Sequence, residues 1–121
     1  MSKILVVEDD SFLISLEVNK LTKAGYEVVS AVNGADGMKK IEEPEIGLVL
    51  LDLMLPDIDG FEILKKIREG SATKKVPVIV FSNMSEEKDI KKAEDLGVSK
   101  FMVKSNFTLD ELIDEVKKVM K

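Results

Sequence analysis

The most apolar stretch of the chain reads Ile46-Gly-Leu-Val-Leu-Leu-Asp52-Leu-Met-Leu-Pro56, and one acid interrupts it. A run of Val and Leu between a glycine and a proline is typical of a strand buried on both faces of a parallel sheet. Burial strips water from a carboxylate, which costs free energy unless a partner offsets the loss. Asp52 therefore either caps the turn after this strand or belongs to a site that uses its charge.

A second acidic group follows another apolar run. Glu8, Asp9 and Asp10 come directly after Ile4-Leu-Val-Val7. A single acid in such a position is commonly the N-cap of the next helix, which is what we expect of Asp10. Because acids follow two separate buried strands, we favour the interpretation of Asp52 as part of a site.

Composition excludes several classes of function. The chain has 121 residues, which predicts one domain over 1–121, and its net charge of −5 argues against direct binding of nucleic acid. It contains neither cysteine nor histidine, so disulfides, zinc–cysteine sites and histidine bases are all ruled out. No signal peptide is evident, and the run around Asp52 is too short to span a bilayer. We therefore expect a cytoplasmic protein with no membrane partner.

Short apolar runs alternate five times with segments of helical periodicity. The predicted strands cover 3–7, 26–31, 46–52, 76–81 and 100–103. The predicted helices cover 11–24, 33–43, 61–69, 85–96 and 109–120. We expect Gly25 to follow the end of the first helix, Asn33 to cap the second, and Thr108, with Glu111 at the third helical position, to cap the fifth. In the first helix, the apolar residues Leu13, Leu16, Val18 and Leu21 recur at roughly helical spacing. Five short βα units predict one α/β sandwich with a parallel sheet, whose right-handed crossovers place every βα loop along one edge.

Residues that follow the predicted strands form a chemically coherent set. If the first and third strands are neighbours, Glu8, Asp9 and Asp52 converge, and three carboxylates in one cleft repel one another unless a cation joins them. Ligands that offer only oxygen favour Mg²⁺, with Mn²⁺ as an alternative, over zinc. Ser82 and Lys104 supply a hydroxyl and a positive charge, which suit an anion such as a phosphoryl group. Alone, each is better explained as a turn hydroxyl or a solvated lysine.

Four stretches resemble the response-regulator receiver domains of two-component signalling. They read Leu5-Val-Val-Glu-Asp-Asp10, Val49-Leu-Leu-Asp52-Leu-Met-Leu-Pro-Asp-Ile-Asp-Gly60, Pro77-Val-Ile-Val-Phe-Ser82 and Phe101-Met-Val-Lys104. The resemblance extends over essentially the whole chain. The order in which an acid pair, an aspartate, a hydroxyl residue and a lysine follow one another is highly specific for this family. It implies a doubly wound, flavodoxin-like (βα)5 fold with strand order 2-1-3-4-5.

The same resemblance implies a role for each matching residue. Asp52 would accept a phosphoryl group from a phosphohistidine on a sensor histidine kinase. Glu8, Asp9, Asp52 and the backbone carbonyl of Met54 would hold Mg²⁺. Ser82 would be the switch hydroxyl and Lys104 the lysine that binds the phosphoryl group.

The family function is a signalling switch that catalyses its own phosphorylation and dephosphorylation, rather than an enzyme acting on other molecules. Phe101 would be the switch aromatic residue, and Pro56 and Gly60 match the loop that shapes the pocket. The surface formed by the fourth helix, fifth strand and fifth helix would bind a downstream target or effector domain.

The chain departs from the family pattern at three positions. Ser105 stands where many relatives have a proline on a cis peptide bond, so the Lys104–Ser105 bond is either trans or held cis at a cost of about 3 kcal/mol. Asn83 replaces a small residue beside Ser82. Phe101 lacks the hydroxyl of the tyrosine often found there.

Two other classes of function compete with this interpretation. A flavodoxin-type electron carrier shares the fold, but Glu8-Asp9-Asp10 would repel a flavin phosphate. A pseudo-receiver would keep the fold as an interaction module without phosphorylation. Both a stand-alone receiver and the receiver part of a longer regulator are compatible with this sequence.

Overall fold

The computed structural model describes residues 2–120, over which five strands alternate with five α-helices. The strands are Lys3–Val7 (β1), Glu27–Ala31 (β2), Ile46–Leu51 (β3), Val78–Ser82 (β4) and Lys100–Val103 (β5). The helices are Ser11–Lys23 (α1), Gly34–Lys40 (α2), Gly60–Glu69 (α3), Glu87–Asp95 (α4) and Leu109–Met120 (α5), with a 3₁₀ turn at Lys104–Asn106. The predicted α/β architecture is confirmed.

All strand pairs in the sheet are parallel, and the strand order is β2-β1-β3-β4-β5, as the family resemblance predicts. Val7, the last residue of β1, pairs with Ala31 of β2 and Leu51 of β3. The three strands therefore end at the same level. The side chains that follow them are delivered to one edge of the sheet, which is where open α/β sheets bind ligands.

The hydrophobic core lies on both faces of the sheet. Alternate residues of each strand point to opposite faces, so Ile4 and Val6 belong to one cluster and Leu5 and Val7 to the other. Helices α1 and α5 pack on the first face, whereas α2, α3 and α4 cover the second. Covering both faces explains why the strands read as nearly continuous apolar runs.

The inner face of α1 agrees with the apolar pattern only in part. Its buried residues are Ile14, Glu17 and Leu21, and Leu13 packs half-buried against the core, whereas Leu16 is 36% exposed. Glu17 occupies the middle of this inner face, where a pattern of apolar residues gives no sign of it.

Several element ends also differ from the prediction. Helix α2 stops at Lys40 instead of residue 43, because the amides of Glu42 and Glu43 bond three residues back rather than four. The turn that follows contains Glu45, which adopts a left-handed backbone with φ 68°. Helix α4 begins at Glu87, two residues later than expected, and β4 begins at Val78.

The predicted helix caps are confirmed. The carboxylate of Asp10 accepts the amides of Phe12 and Leu13 at 3.0 and 3.2 Å. At α5, the Thr108 hydroxyl accepts the amide of Glu111, whose carboxylate accepts the Thr108 amide in return. None of the helices formed by residues 2–120 has the length and apolar character that crossing a membrane requires.

Candidate functional site

Backbone hydrogen bonds continue past the ends of the strands and position the first acids of the site. The Asp52 amide donates to the carbonyl of Val7 at 3.0 Å, and the Glu8 amide donates to the carbonyl of Ala31 at 3.0 Å. Both residues are thus attached to the sheet although they lie one position beyond a strand. This attachment brings two buried carboxylates together at the carboxyl edge.

Lys104 lies between these two carboxylates. Its ammonium nitrogen is 2.8 Å from Glu8 Oε1 and 2.8 Å from Asp52 Oδ2. The Lys104 side chain is only 16% exposed, so water screens these ion pairs weakly. Burial alone would lower the pKa of Lys104, but its hydrogen bonds with Asp52 and Glu8 outweigh that effect and raise it.

The remaining carboxylate oxygens of Glu8 and Asp52 accept backbone amides. Asp52 Oδ1 accepts the Met54 amide at 2.9 Å, and Glu8 Oε2 accepts the Asp10 amide at 3.1 Å. Burial raises the pKa of Glu8, and the opposing bonds from Lys104 and the Asp10 amide do not fully compensate. Each carboxylate is therefore held in one orientation by two partners.

Asp9 completes a group of ligand atoms suited to a hard cation. One carboxylate oxygen from each of Glu8, Asp9 and Asp52 lies within 4.8 Å of the others, and Asp9 is exposed to solvent. Lys104 balances only one of the three negative charges in this group. All three side chains offer oxygen, the donor that Mg²⁺ prefers, so the residues fit this metal.

Ser82 ends β4 at the same edge of the sheet. It is fully buried, and its hydroxyl oxygen accepts the Met84 amide at 3.3 Å within its own turn. Phe101 lies farther from the edge, where it pairs in register with Val80 and packs half-buried against the α2–α4 side of the core. The structure thus brings Glu8, Asp52 and Lys104 into contact, and places Ser82 and Phe101 on the two strands that follow β3.

The loop after β3 is held rigidly beside the acids. Asp57 accepts the amides of Gly34 and Ala35 at 2.8 and 3.0 Å, which ties the loop to the start of α2 and lowers the Asp57 pKa. At the end of the loop, a Cβ on Gly60 would lie 2.4 Å from the Cα of Leu53. Only glycine allows this close approach of two backbone segments.

The departures from the family pattern have structural outcomes. Residues 2–120 contain no cis peptide bond, so the Lys104–Ser105 bond is trans. Ser105 is exposed within the 3₁₀ turn that carries Lys104. Asn83 is exposed as well, and Met54 is 53% exposed.

The sequence interpretation missed two residues. Glu17 is 1% exposed on the inner face of α1, and Arg68 donates hydrogen bonds to four backbone carbonyls. A signal for Glu17 does exist, because it lies three residues after Ile14 and four before Leu21, on one helical stripe. Arg68 gives no such signal, since its partners are carbonyl groups that every residue possesses.

A family model described as the response regulator receiver domain matches residues 4–117. The chain belongs to this family of receiver domains. It is accordingly a signalling domain of the two-component type, and the flavodoxin alternative is wrong.

The receiver domain also resembles full-length regulators. It is 33% identical over 119 residues to PhoP of Bacillus subtilis, the alkaline phosphatase synthesis transcriptional regulatory protein. It is 34% identical over 121 residues to the response regulator ArlR of Staphylococcus aureus. These matches cover 98% and 100% of this chain but 48% and 53% of the two relatives. The chain thus spans about half the length of the curated relatives it matches.

Solved structures agree in fold over almost the whole receiver domain. The CheY-like receiver domain protein of Methanospirillum hungatei superposes with a TM-score of 0.91 at 25% identity, covering 99% of this chain and 94% of the other. TrrA of Thermotoga maritima, solved in complex with Mg²⁺ and BeF, superposes with a TM-score of 0.83 at 33% identity. That match covers 98% of this chain and 99% of TrrA.

Proposed function

We propose that residues 1–121 form one receiver domain and that this domain takes a phosphoryl group onto Asp52 from the phosphohistidine of a sensor histidine kinase. The observation that supports the proposal most strongly is the pair of ionic contacts that Lys104 makes. Its ammonium nitrogen lies 2.8 Å from a carboxylate oxygen of Asp52 and 2.8 Å from one of Glu8. Lys104 is nearly buried beside Asp52, the proposed nucleophile, and its positive charge can attract an incoming anion.

The reaction is a displacement at phosphorus. A carboxylate oxygen of Asp52 attacks the phosphorus atom, a P–O bond forms, and the P–N bond to the donor imidazole breaks. The electron pair of that bond remains on the imidazole nitrogen. Asp52 becomes an acyl phosphate, and catalysis rests mainly on positioning and on stabilising charge at the phosphoryl oxygens.

Glu8, Asp9, Asp52 and the backbone carbonyl of Met54 would hold the divalent cation. Bound Mg²⁺ supplies positive charge that offsets repulsion between the carboxylates and the arriving phosphoryl oxygens. The rigid anchoring of Glu8 and Asp52 by backbone amides keeps their oxygens oriented for this role.

Lys104 and Ser82 would bind the phosphoryl oxygens once the group is attached. Lys104 has three N–H donors, two of which already point at Glu8 and Asp52. We propose that it exchanges its bond to Asp52 for one to the phosphoryl group. Ser82, which accepts only a 3.3 Å bond from Met84, would turn its hydroxyl toward the same oxygens.

The output of the switch would be a change in the surface formed by α4, β5 and α5. Movement of Ser82 would pull on the turn between β4 and α4, and the change would reach Phe101 on the neighbouring strand. Phe101 has no hydroxyl, so its response rests on packing against the core. The repacked surface would bind a downstream protein or an effector domain.

Acetyl phosphate with Mg²⁺, followed by intact-mass measurement, tests the proposal. Wild type should gain one phosphoryl mass, Asp52→Asn should gain none, and excess chelator should prevent the gain. Asp59→Asn is a matched control, because it removes a charge from the same loop while asparagine still caps α3. It should be phosphorylated like wild type.

Two outcomes would contradict the proposal. Modification that persists in Asp52→Asn would place the acceptor elsewhere. A correctly folded wild-type chain that gains no mass from acetyl phosphate or from any phosphorylated kinase would instead be a pseudo-receiver.

A further inference from the structure

Met54 is an exposed methionine beside the phosphorylation pocket. It is 53% exposed, whereas the other methionines within residues 2–120 lie in the hydrophobic core or pack against it. Met102 is only 1% exposed, and the half-buried ones are Met38, Met84 and Met120. Among these methionines, Met54 therefore has the sulfur that a dissolved reagent reaches most readily.

The composition of the chain makes this sulfur a preferred target of oxidants. With no cysteine, the chain has no thiolate that would react first. A hydroperoxide converts the thioether of methionine to a sulfoxide, and exposure increases the susceptibility of a side chain to such oxidation. We therefore expect a peroxide to modify Met54 before the methionines of the core.

The backbone holds Met54 next to the proposed nucleophile. Its amide donates to Asp52 Oδ1 at 2.9 Å, and its carbonyl is one of the groups proposed to hold the divalent cation. The side chain is unbranched, and its sulfur is three bonds from the Met54 Cα, so the sulfur stays near Asp52 in every rotamer. A change in the polarity of this sulfur is thus a change beside the phosphorylation site.

We propose that Met54 is an oxidation site whose sulfoxide shortens the life of the acyl phosphate on Asp52. The inference rests on the proposed function, because the species affected is phosphorylated Asp52. A lone pair of the Met54 sulfur attacks the hydroxyl oxygen of a hydroperoxide, an S–O bond forms and the O–O bond breaks. The hydroxyl proton moves to the leaving oxygen, which departs as water or an alcohol. The sulfur loses two electrons, and the peroxide gains them.

The sulfoxide differs from the thioether in its capacity to hold water. A thioether sulfur is a weak hydrogen-bond acceptor, whereas the sulfoxide is polar and its oxygen accepts hydrogen bonds well. Water that attacks the phosphorus atom removes the phosphoryl group from Asp52 as inorganic phosphate. An acceptor on Met54 orients such a water and favours the attack. Peroxide would thus turn the switch off, and reduction of the sulfoxide would restore it.

Peptide mapping by mass spectrometry tests where oxidation occurs. The unphosphorylated chain is treated with hydrogen peroxide, quenched and digested at several times. Met54 sulfoxide should form about tenfold faster than Met102 sulfoxide, because Met102 is buried.

Mass decay of the phosphorylated chain tests the consequence. Treated and untreated chains are phosphorylated with acetyl phosphate and MgCl₂, and the donor is then removed. Oxidised wild type should lose its phosphoryl group about fivefold faster, which is the effect of one added hydrogen bond on a barrier. A methionine sulfoxide reductase should restore the slower decay.

Two variants assign the effect to one sulfur. Met54→Leu keeps the size and apolar character of the side chain but removes the sulfur, so peroxide should leave its decay rate unchanged. Met84→Leu removes a half-buried methionine near Ser82 and keeps Met54. Peroxide should therefore speed the decay of Met84→Leu as much as it speeds that of wild type.

The outcomes separate the inference from the proposed function. Oxidation of Met54 no faster than that of Met102 would overturn the inference alone. The same holds if a normally phosphorylated wild type decays at one rate before and after Met54 is fully oxidised, or if peroxide speeds the decay of Met54→Leu and of wild type equally. A wild type that gains no phosphoryl mass, treated or untreated, would overturn both.

Discussion

Lys104 is the residue on which the resting state of the pocket depends. Its two 2.8 Å bonds neutralise part of the charge of Glu8 and Asp52, which are both buried. The same side chain is proposed to bind the phosphoryl group, so it serves one set of anions at rest and another after phosphorylation. A lysine suits this exchange, because its ammonium group is a compact charge on a flexible stem.

Replacing Lys104 by alanine should destabilise the metal-free protein as well as impair phosphorylation. Two buried carboxylates would lose their cationic partner, which costs about 3 kcal/mol of unfolding free energy. Added Mg²⁺ should restore more stability in the variant than in wild type, because it supplies the missing charge. Urea unfolding with chelator and with MgCl₂ measures both effects. Equal stability of variant and wild type in chelator would show that the ion pairs contribute little.

Met54 and Met84 are expected to lengthen the life of the acyl phosphate. They stand two residues after Asp52 and Ser82, and their thioethers neither activate nor orient water as a carboxylate or an amide does. Met54→Asn and Met84→Glu should each speed phosphoryl loss, measured as mass decay after the donor is removed. Lys118→Glu, on the distant α5, is a control that should decay like wild type. Wild-type decay as fast as in the two variants would contradict the prediction.

At the scale of elements, local chemistry determined which boundaries were predictable. Asp10, Asn33 and Thr108 were recognised as caps because their side chains bond backbone amides within three residues. Similarly, Gly25, predicted to follow the end of α1, has φ 99°, which favours glycine. The start of α4 was misplaced because Glu86 makes no side-chain capping bond that could mark it.

Helix α4 is held unequally at its two ends. At its carboxyl end, Arg68 donates to the carbonyls of Leu96 and Gly97 at 2.8 Å each. The same guanidinium donates to the carbonyls of Val76 and Lys74 at 2.7 and 3.2 Å, which joins the end of α4 to the loop before β4. The opposite end of α4 has no such attachment through Glu86.

Removing the Arg68 guanidinium should loosen the carboxyl end of α4. Arg68→Met keeps most of the apolar stem but leaves four carbonyls without this donor, which should cost about 3 kcal/mol of unfolding free energy. Hydrogen exchange should accelerate in residues 92–98 of the variant. Arg68→Lys retains the charge but not the planar guanidinium, so its exchange rates in residues 92–98 should fall between those of Arg68→Met and wild type. Unchanged exchange in residues 92–98 would show that packing alone holds this end.

For the whole molecule, the fold was more predictable than the electrostatics of its interior. Apolar runs in the sequence identify the buried strands, and their alternation with helices indicates a parallel sheet. The sheet and the convergence of Glu8 with Asp52 were therefore expected. The inner position of Glu17 was not expected, because hydropathy patterns assign charged residues to the surface. The bond of Lys104 to Glu8 also depends on three-dimensional distances that no local pattern encodes.

Buried acids should make the metal-free protein less stable as the pH rises from about 5 to 8. Glu17 has an ordinary pKa of 4.5, raised to about 8 in the folded protein, and the pKa of Glu8 is raised as well. In this range the folded state binds more protons than the unfolded state, so unfolding becomes more favourable with increasing pH. Melting temperatures in chelator between pH 5.5 and 8.5 should fall for wild type and fall less for Glu17→Gln. Parallel curves would contradict the predicted contribution of Glu17.

The close contact of Gly60 with Leu53 has a consequence for heredity. Every missense mutation of a glycine codon introduces a Cβ, and here that atom would lie 2.4 Å from a backbone carbon. Any amino-acid replacement reached by one nucleotide change at Gly60 should therefore displace the backbone of this loop. The packing requirement does not involve Asp52, so it would persist in a chain that had lost the phosphorylation chemistry. The presence of Gly60 in a gene therefore says nothing about whether the product is phosphorylated.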